Sequence, residues 1–164
     1  MIGEAPGPPS KRLRRVHPRS THRDGDLACT IQGLADLRAL VTEQSGVADG
    51  LVLLHDPPFQ VLQEEVERLR QRLLQHHPRS VEWILRELET AGGDRAASRR
   101  IRSEHERFTS SLGQLDWLLS IVRENDHGGN RQALGQYWRI LLGSIVPHVE
   151  EETRLVEGHS REPL

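Results

Sequence analysis

The chain has one cysteine, few aromatic residues and no long apolar run. Cys29 is the one cysteine among 164 residues, which excludes an internal disulfide framework and fits a reducing compartment. Aromatic residues make up 4% of the chain, so the core must consist mostly of Leu, Ile and Val. No stretch of about 18 consecutive apolar residues occurs, and we expect no membrane span. These absences favour a cytoplasmic protein with one aliphatic core.

Positive charge is concentrated at the N-terminus. The chain as a whole has a formal net charge of -2, which gives no general reason to expect nucleic acid as a partner. Residues 1–25 contain six basic and two acidic residues together with four prolines, a composition typical of a disordered arm. Such an arm is either a solvated tail or a weak contact for nucleic acid or an acidic surface, and it lacks the apolar stretch of a secretory signal. We therefore assign 1–25 to a basic arm, 26–157 to one folded domain and 158–164 to a tail.

Apolar residues recur with a helical period in four segments, and no strand pattern is convincing. The predicted helices cover about residues 27–44, 58–90, 97–124 and 131–156. Asp26 and Asp56 are the predicted N-caps of the first two helices, and Gly46 is the predicted end of the first. Four amphipathic segments joined by short turns predict an all-α protein, an antiparallel four-helix bundle.

Two prolines interrupt the predicted helices. Pro78 lies within the second segment and Pro147 within the fourth. Proline cannot donate to the helical hydrogen-bond ladder and crowds the carbonyl four residues before it, so each predicts a kink or a break.

Several polar residues lie on the faces that should point into the core. His148 and Glu152 are four residues apart and continue the apolar stripe of the fourth segment, and His105 lies within the stripe of the third. On the second segment, His77 and Glu82 fall at a comparable height, and His76 is an equally available neighbour.

An ionised carboxylate in an apolar core needs a cation or a hydrogen-bonded partner. His and Glu are ligands for borderline divalent metals, so we predict a metal site formed by His105, His148, Glu152, His77 and Glu82. The alternative for these residues is a metal-free His–Glu hydrogen bond or an exposed pair. If carboxylates gather at an empty site, replacing Glu152 by Gln should leave the metal-free protein no less stable.

Three segments of the sequence resemble the motifs of a known family. SEHERFTSSLGQL and PHVEEETRLVE, at 103–115 and 147–157, resemble the second half of the hemerythrin-like (HHE cation-binding) domain, with its Glu-His pair on the third helix and its His-x-x-x-Glu motif on the fourth. LLQHHPRSVEWILREL at 73–88 resembles the second-helix motif of the family. Its His77 and Glu82 are five residues apart, about 140° on a regular helix, so Pro78 would have to distort this turn.

The resemblance implies a non-heme iron protein with one or two iron ions. Its expected role is binding or sensing dioxygen, nitric oxide, peroxide or iron itself, and whether it catalyses a reaction is left open. The family carries a His on its first helix, whereas residues 27–45 contain none. His22, His55 or Cys29 could fill this position, or it is vacant. A rival hypothesis is a metal-free helical adaptor or regulator on the same fold, which this vacancy and the two prolines favour.

Overall fold

The computed structural model describes residues 20–53, 55, 57–86, 88 and 95–160. Four α-helices account for most of them: Ser20–Val52 (α1), Phe59–Ser80 (α2), Arg95–Glu124 (α3) and Gly128–Ser160 (α4). A π-helical turn, Val81–Leu85, continues α2. No strand occurs among these residues, so the prediction of an all-α protein is confirmed. No helix in the described ranges is long and apolar enough to cross a membrane.

Ion pairs join each of the four helices to two others. Along α1, Arg38 pairs with Glu150 and Asp49 with Arg139 of α4. The ion pairs that join the remaining neighbouring helices are Asp36–Arg72 and Glu43–Arg68 between α1 and α2, Arg70–Asp116 between α2 and α3, and Arg100–Glu151 between α3 and α4. The core between the helices is mainly Leu, Ile and Val, with Trp83, Trp138 and Phe108 as the buried aromatic residues.

Helix α1 is longer at both ends than the sequence pattern predicted. It begins at Ser20, so the predicted cap Asp26 lies inside the helix, and residues 20–25 belong to it. The remaining residues of the predicted arm, 1–19, lie outside the described part of the chain, as does Asp56. At the other end α1 continues through Gly46 and Gly50 to Val52, which corrects the predicted end at Gly46.

Close packing against α4 explains the longer C-terminal end of α1. A Cβ added to Gly135 of α4 would lie 2.6 Å from Leu51 Cβ and 2.9 Å from the Ala48 carbonyl oxygen, so the two backbones touch at this point. Ala48 and Leu51 are fully buried there. Each glycine in a helix costs about 1 kcal/mol relative to alanine, and burial of these side chains offsets that cost.

The two prolines have different consequences. Helix α2 passes through Pro78, and the distortion follows at the π-helical turn, where hydrogen bonds to the fifth residue widen the helix. This turn buries three consecutive apolar residues, Trp83, Ile84 and Leu85, and leaves Glu82 exposed. Helix α4 continues through Pro147 without interruption, which corrects the predicted break. Pro147 lies on the exposed face of α4, where water can bind the carbonyl group that lost its donor.

Candidate metal centre

Four buried side chains from three helices meet at one point in the core. His76 comes from α2, His105 from α3, and His148 and Glu152 from α4, with exposed fractions of 6%, 2%, 3% and 0%. Each offers one nitrogen or oxygen atom that can bind a metal ion, and these atoms lie within 4.8 Å of one another. The described structure therefore contains a buried group of three imidazoles and one carboxylate that could hold a metal ion.

The distances within this group match those between ligands of one ion. His105 Nε2 lies 2.9 Å from His148 Nε2, and Glu152 Oε1 lies 3.3 Å from each of these nitrogens. His76 Nε2 lies 3.0 Å from Glu152 Oε2. Two ligands about 2.1 Å from an ion and about 90° to 109° apart are about 3.0 to 3.4 Å from each other. The four contacts of the group therefore lie close to the separations expected between ligands of a single ion.

One of these contacts is short but is not aligned as a hydrogen bond. His76 Nε2 lies close to Glu152 Oε2, yet within the described part of the chain it makes no aligned hydrogen bond. A buried imidazole nitrogen in this position is costly unless something else binds its lone pair or its proton. A cation bound between His76 and Glu152 would give this nitrogen such a partner.

The pKa values show where charge lies in this group. Burial would raise the pKa of Glu152, but contacts with His105, His148 and His76 hold it well below its ordinary range. Burial would lower the pKa of His148, but hydrogen bonds and negative charge from Glu152 and Glu104 outweigh burial and raise it. The pKa of His105 is lowered, chiefly by burial. At neutral pH the group thus favours an ionised Glu152 and a neutral His105, and it keeps His148 protonated to a higher pH than an ordinary imidazole.

Metal affinity and the stability of the metal-free protein are expected to change in opposite directions above about pH 7. Because the pKa of His148 is raised, its proton stabilises the fold. This contribution is complete below about 6.5, the ordinary value, and is lost as the pH rises through the raised pKa. A metal ion displaces the same proton, so its apparent affinity rises over this range by up to about tenfold per pH unit. Because the pKa of His105 is lowered, its titration affects stability and metal affinity at pH values below this range.

Urea unfolding measures how the stability of the metal-free protein changes with pH, and zinc titration measures how its affinity changes with pH. Both are done at the same pH values, between about 7 and 8.5. Slopes of the same sign would contradict a proton on His148 that competes with the metal.

The structure brings three of the five predicted ligands together. His105, His148 and Glu152 belong to the buried group, whereas His77 is half-buried beside it, with its ring centroid 4.5 Å from that of His105. Glu82 is exposed and lines a separate cleft with Asp26, Cys29 and Arg86. The π-helical turn is the physical reason, because it directs Trp83 and not Glu82 into the core.

His76, and not His77, is the member of the group on α2. The apolar stripe of this helix contains Leu62, Val66, Leu69 and Leu73. The next position on the same face is three residues after Leu73, at His76. This helical period was the signal in the sequence that could have identified His76.

Helix α1 contributes none of the four side chains. The pairing of Arg38 with Glu150 places Glu152 at the level of Leu37 on α1, where the buried residues are Leu34, Leu37 and Leu40. Of the candidates for the missing ligand, Cys29 and His55 are exposed, and the side chain of His22 lies outside the described part of the structure. Among the described residues, aliphatic side chains of α1 therefore occupy the place where the resemblance implies a first-helix His.

Comparison with known proteins adds no family assignment. No protein-family model matches the chain, and neither the curated proteins nor the solved structures give a significant match.

Proposed function

We propose that the chain is a metal-binding protein, an antiparallel bundle of hemerythrin-like type that holds one non-heme iron ion. The ligands are His76, His105, His148 and Glu152. The observation that carries this proposal is the convergence of their four ligand atoms within 4.8 Å in the core. Buried polar groups need partners, and one metal ion would serve as a shared partner for all four side chains.

The site supports one ion better than two. Carboxylate-bridged iron pairs in helical bundles use a larger set of ligands, typically four Glu and two His. Here Glu152 is the one carboxylate in the group. Glu82, which could have been a second, is exposed, and α1 presents Leu37 at this level. We therefore keep the one-ion form of the sequence prediction.

The ligand types narrow the choice of metal. Imidazole suits zinc, copper, iron and nickel, whereas magnesium and calcium prefer oxygen ligands. Two His and one carboxylate with open positions are typical of ferrous sites, and the group contains these together with one further His. A ferrous ion bound here would supply open coordination positions for dioxygen, nitric oxide or peroxide. The chain's own residues hold the ion, exclude bulk water and supply one negative charge from Glu152.

The metal-free adaptor remains the second candidate, and one observation favours it. Glu152 and His148, whose pKa is raised, form a buried ion pair whenever His148 is protonated, with His105 at 3.3 Å from the same carboxylate oxygen. Such a pair can satisfy most of the group's hydrogen-bonding needs without a metal. The two candidates differ in whether an ion stabilises the fold.

Thermal melting with and without metal tests this proposal. We expect ferrous iron under anaerobic conditions to raise the melting temperature. An ion at 100 times its dissociation constant stabilises the folded state by about 2.7 kcal/mol, which corresponds to about 5 to 10 °C for a domain of this size. Zinc should act in the same direction, whereas magnesium should not.

His55→Ala is a matched control for this experiment, because His55 is exposed and should leave the iron-induced shift unchanged. If neither iron nor zinc changes the melting temperature, the metal proposal fails and the adaptor remains.

A further inference from the structure

We propose that Glu104 is a positioning residue for the metal site, a role that rests on the proposed function. Its Oε2 lies 2.7 Å from His148 Nδ1, on the side of the imidazole ring opposite the metal group. Glu104 extends from α3 and His148 from α4, so the contact also joins the two helices that carry three of the four ligands. In the described structure, neither of the other two histidines of the group has a carboxylate in contact with its outer nitrogen, the ring nitrogen that faces away from the other ligand atoms.

The chemistry of the contact determines which nitrogen of His148 carries hydrogen. An ionised carboxylate accepts hydrogen bonds and has none to donate. Nδ1 of His148 must therefore carry the proton that joins it to Glu104. When His148 is neutral, its lone pair is then on Nε2, the nitrogen that faces His105 and Glu152 at 2.9 and 3.3 Å. Nε2 is thus prepared to bind a metal ion before the ion arrives.

The other histidines of the group lack this arrangement. Within the described part of the chain, His105 Nδ1 is buried and makes no hydrogen bond, so no partner on its outer nitrogen orients the ring of His105. His148 is therefore the ligand whose orientation and protonation the fold specifies. A carboxylate on the outer nitrogen also increases the basicity of the imidazole and strengthens its bond to a metal.

The location of Glu104 suits a positioning role. His148 has a side chain 1% exposed, whereas that of Glu104 is 22% exposed, so Glu104 lies at the rim of the group in contact with water. It immediately precedes His105 on α3, which places it about 100° around the helix from the core-facing stripe. Its carboxylate reaches His148 from outside the group and does not belong to the four ligands.

Glu104→Gln tests this role with little change in shape. The Gln amide can accept from Nδ1–H or donate to a bare Nδ1, so the tautomer of His148 is no longer imposed. We expect zinc affinity, measured by competition with a chromophoric chelator, to fall about 10- to 100-fold. Glu104→Asp should keep part of the wild-type affinity, because it retains the carboxylate. Glu106→Gln removes the same charge from an exposed position on the same helix and should change affinity little.

A second measurement separates positioning from a merely structural role. Long-range proton–nitrogen NMR of the metal-free protein, at a pH where His148 is neutral, should show hydrogen on Nδ1 in wild type. In Glu104→Gln we expect hydrogen on Nε2 or a mixture of both tautomers. The proposal is overturned if Glu104→Gln keeps both the wild-type zinc affinity and the wild-type tautomer, or if wild type itself carries hydrogen on Nε2. If wild type binds no zinc, the proposed function fails, and the tautomer measurement still decides whether Glu104 orients His148.

Discussion

Glu152→Gln is expected to destabilise the metal-free protein by about 3 kcal/mol at neutral pH. Glu152 is fully buried and contacts all three histidines of the group. Removing one partner of a buried ion pair leaves the other charge uncompensated in the core. A protonated His148 would have to release its proton or remain charged without its buried counterion. Urea unfolding of both proteins at neutral pH measures the difference.

A matched control for this variant lies two residues earlier. Glu150→Gln removes the same charge at an exposed position, where the carboxylate is 3.9 Å from Arg38. Exposed pairs of this kind contribute at most about 1 kcal/mol, so Glu150→Gln should leave stability nearly unchanged. If Glu152→Gln were as stable as wild type, the buried pair with His148 would have to be abandoned.

This expectation reverses the one drawn from the sequence. With His77 and Glu82 as ligands, the empty site was expected to gather carboxylates, and removing one negative charge would have relieved repulsion. In the structure a single carboxylate lies among three imidazoles. The net electrostatic effect on Glu152 is attraction, which lowers its pKa.

The second large effect concerns the two adjacent histidines of α2. Loss of a hydrogen-bond partner of a metal ligand reduces affinity about 10- to 100-fold. His76→Ala removes a proposed ligand itself, so we expect it to reduce iron and zinc affinity by more than this. His77→Ala should change affinity much less, because His77 contacts the ring of His105 from outside the group. Both variants remove one imidazole from the same helix, so each is the control for the other.

Affinity of the His76 and His77 variants can be measured by zinc competition at one pH, with a thermal melt of each metal-free variant to correct for any loss of folding. Equal losses of affinity in the two variants, or a larger loss in His77→Ala, would place the wrong histidine in the site.

Helical periodicity was sufficient to predict four helical segments and three of the four residues of the buried group. The apolar stripes of α3 and α4 identified His105, His148 and Glu152 as core residues, because a polar side chain on an apolar face must point inward. The same rule applied to α2 would have selected His76. The resemblance to the family's second-helix motif instead favoured His77 with Glu82. These residues are five apart, so they would share a face only if the helix were distorted near Pro78.

The rest of the structure depends on contacts between helices. A π-helical turn occurs after Pro78, but nothing in the local sequence shows that it exposes Glu82 and buries Trp83. Gly46 and Gly50 favour a helix end by local propensity, and packing of Leu51 against Gly135 overrides them. Glu104 lies off the apolar stripe of α3, so its contact with His148 appears only when α3 and α4 are placed side by side.

Metal content per chain is the measurement that tests the one-ion site most directly. The full chain would be loaded with ferrous iron under anaerobic conditions, separated from free metal by gel filtration and analysed for metal and protein. We predict about one ion per chain in wild type and markedly less in His148→Ala, since the four ligand atoms lie within 4.8 Å of one another. Wild-type protein that retains no iron or zinc after such loading, or that retains two ions per chain, would contradict it.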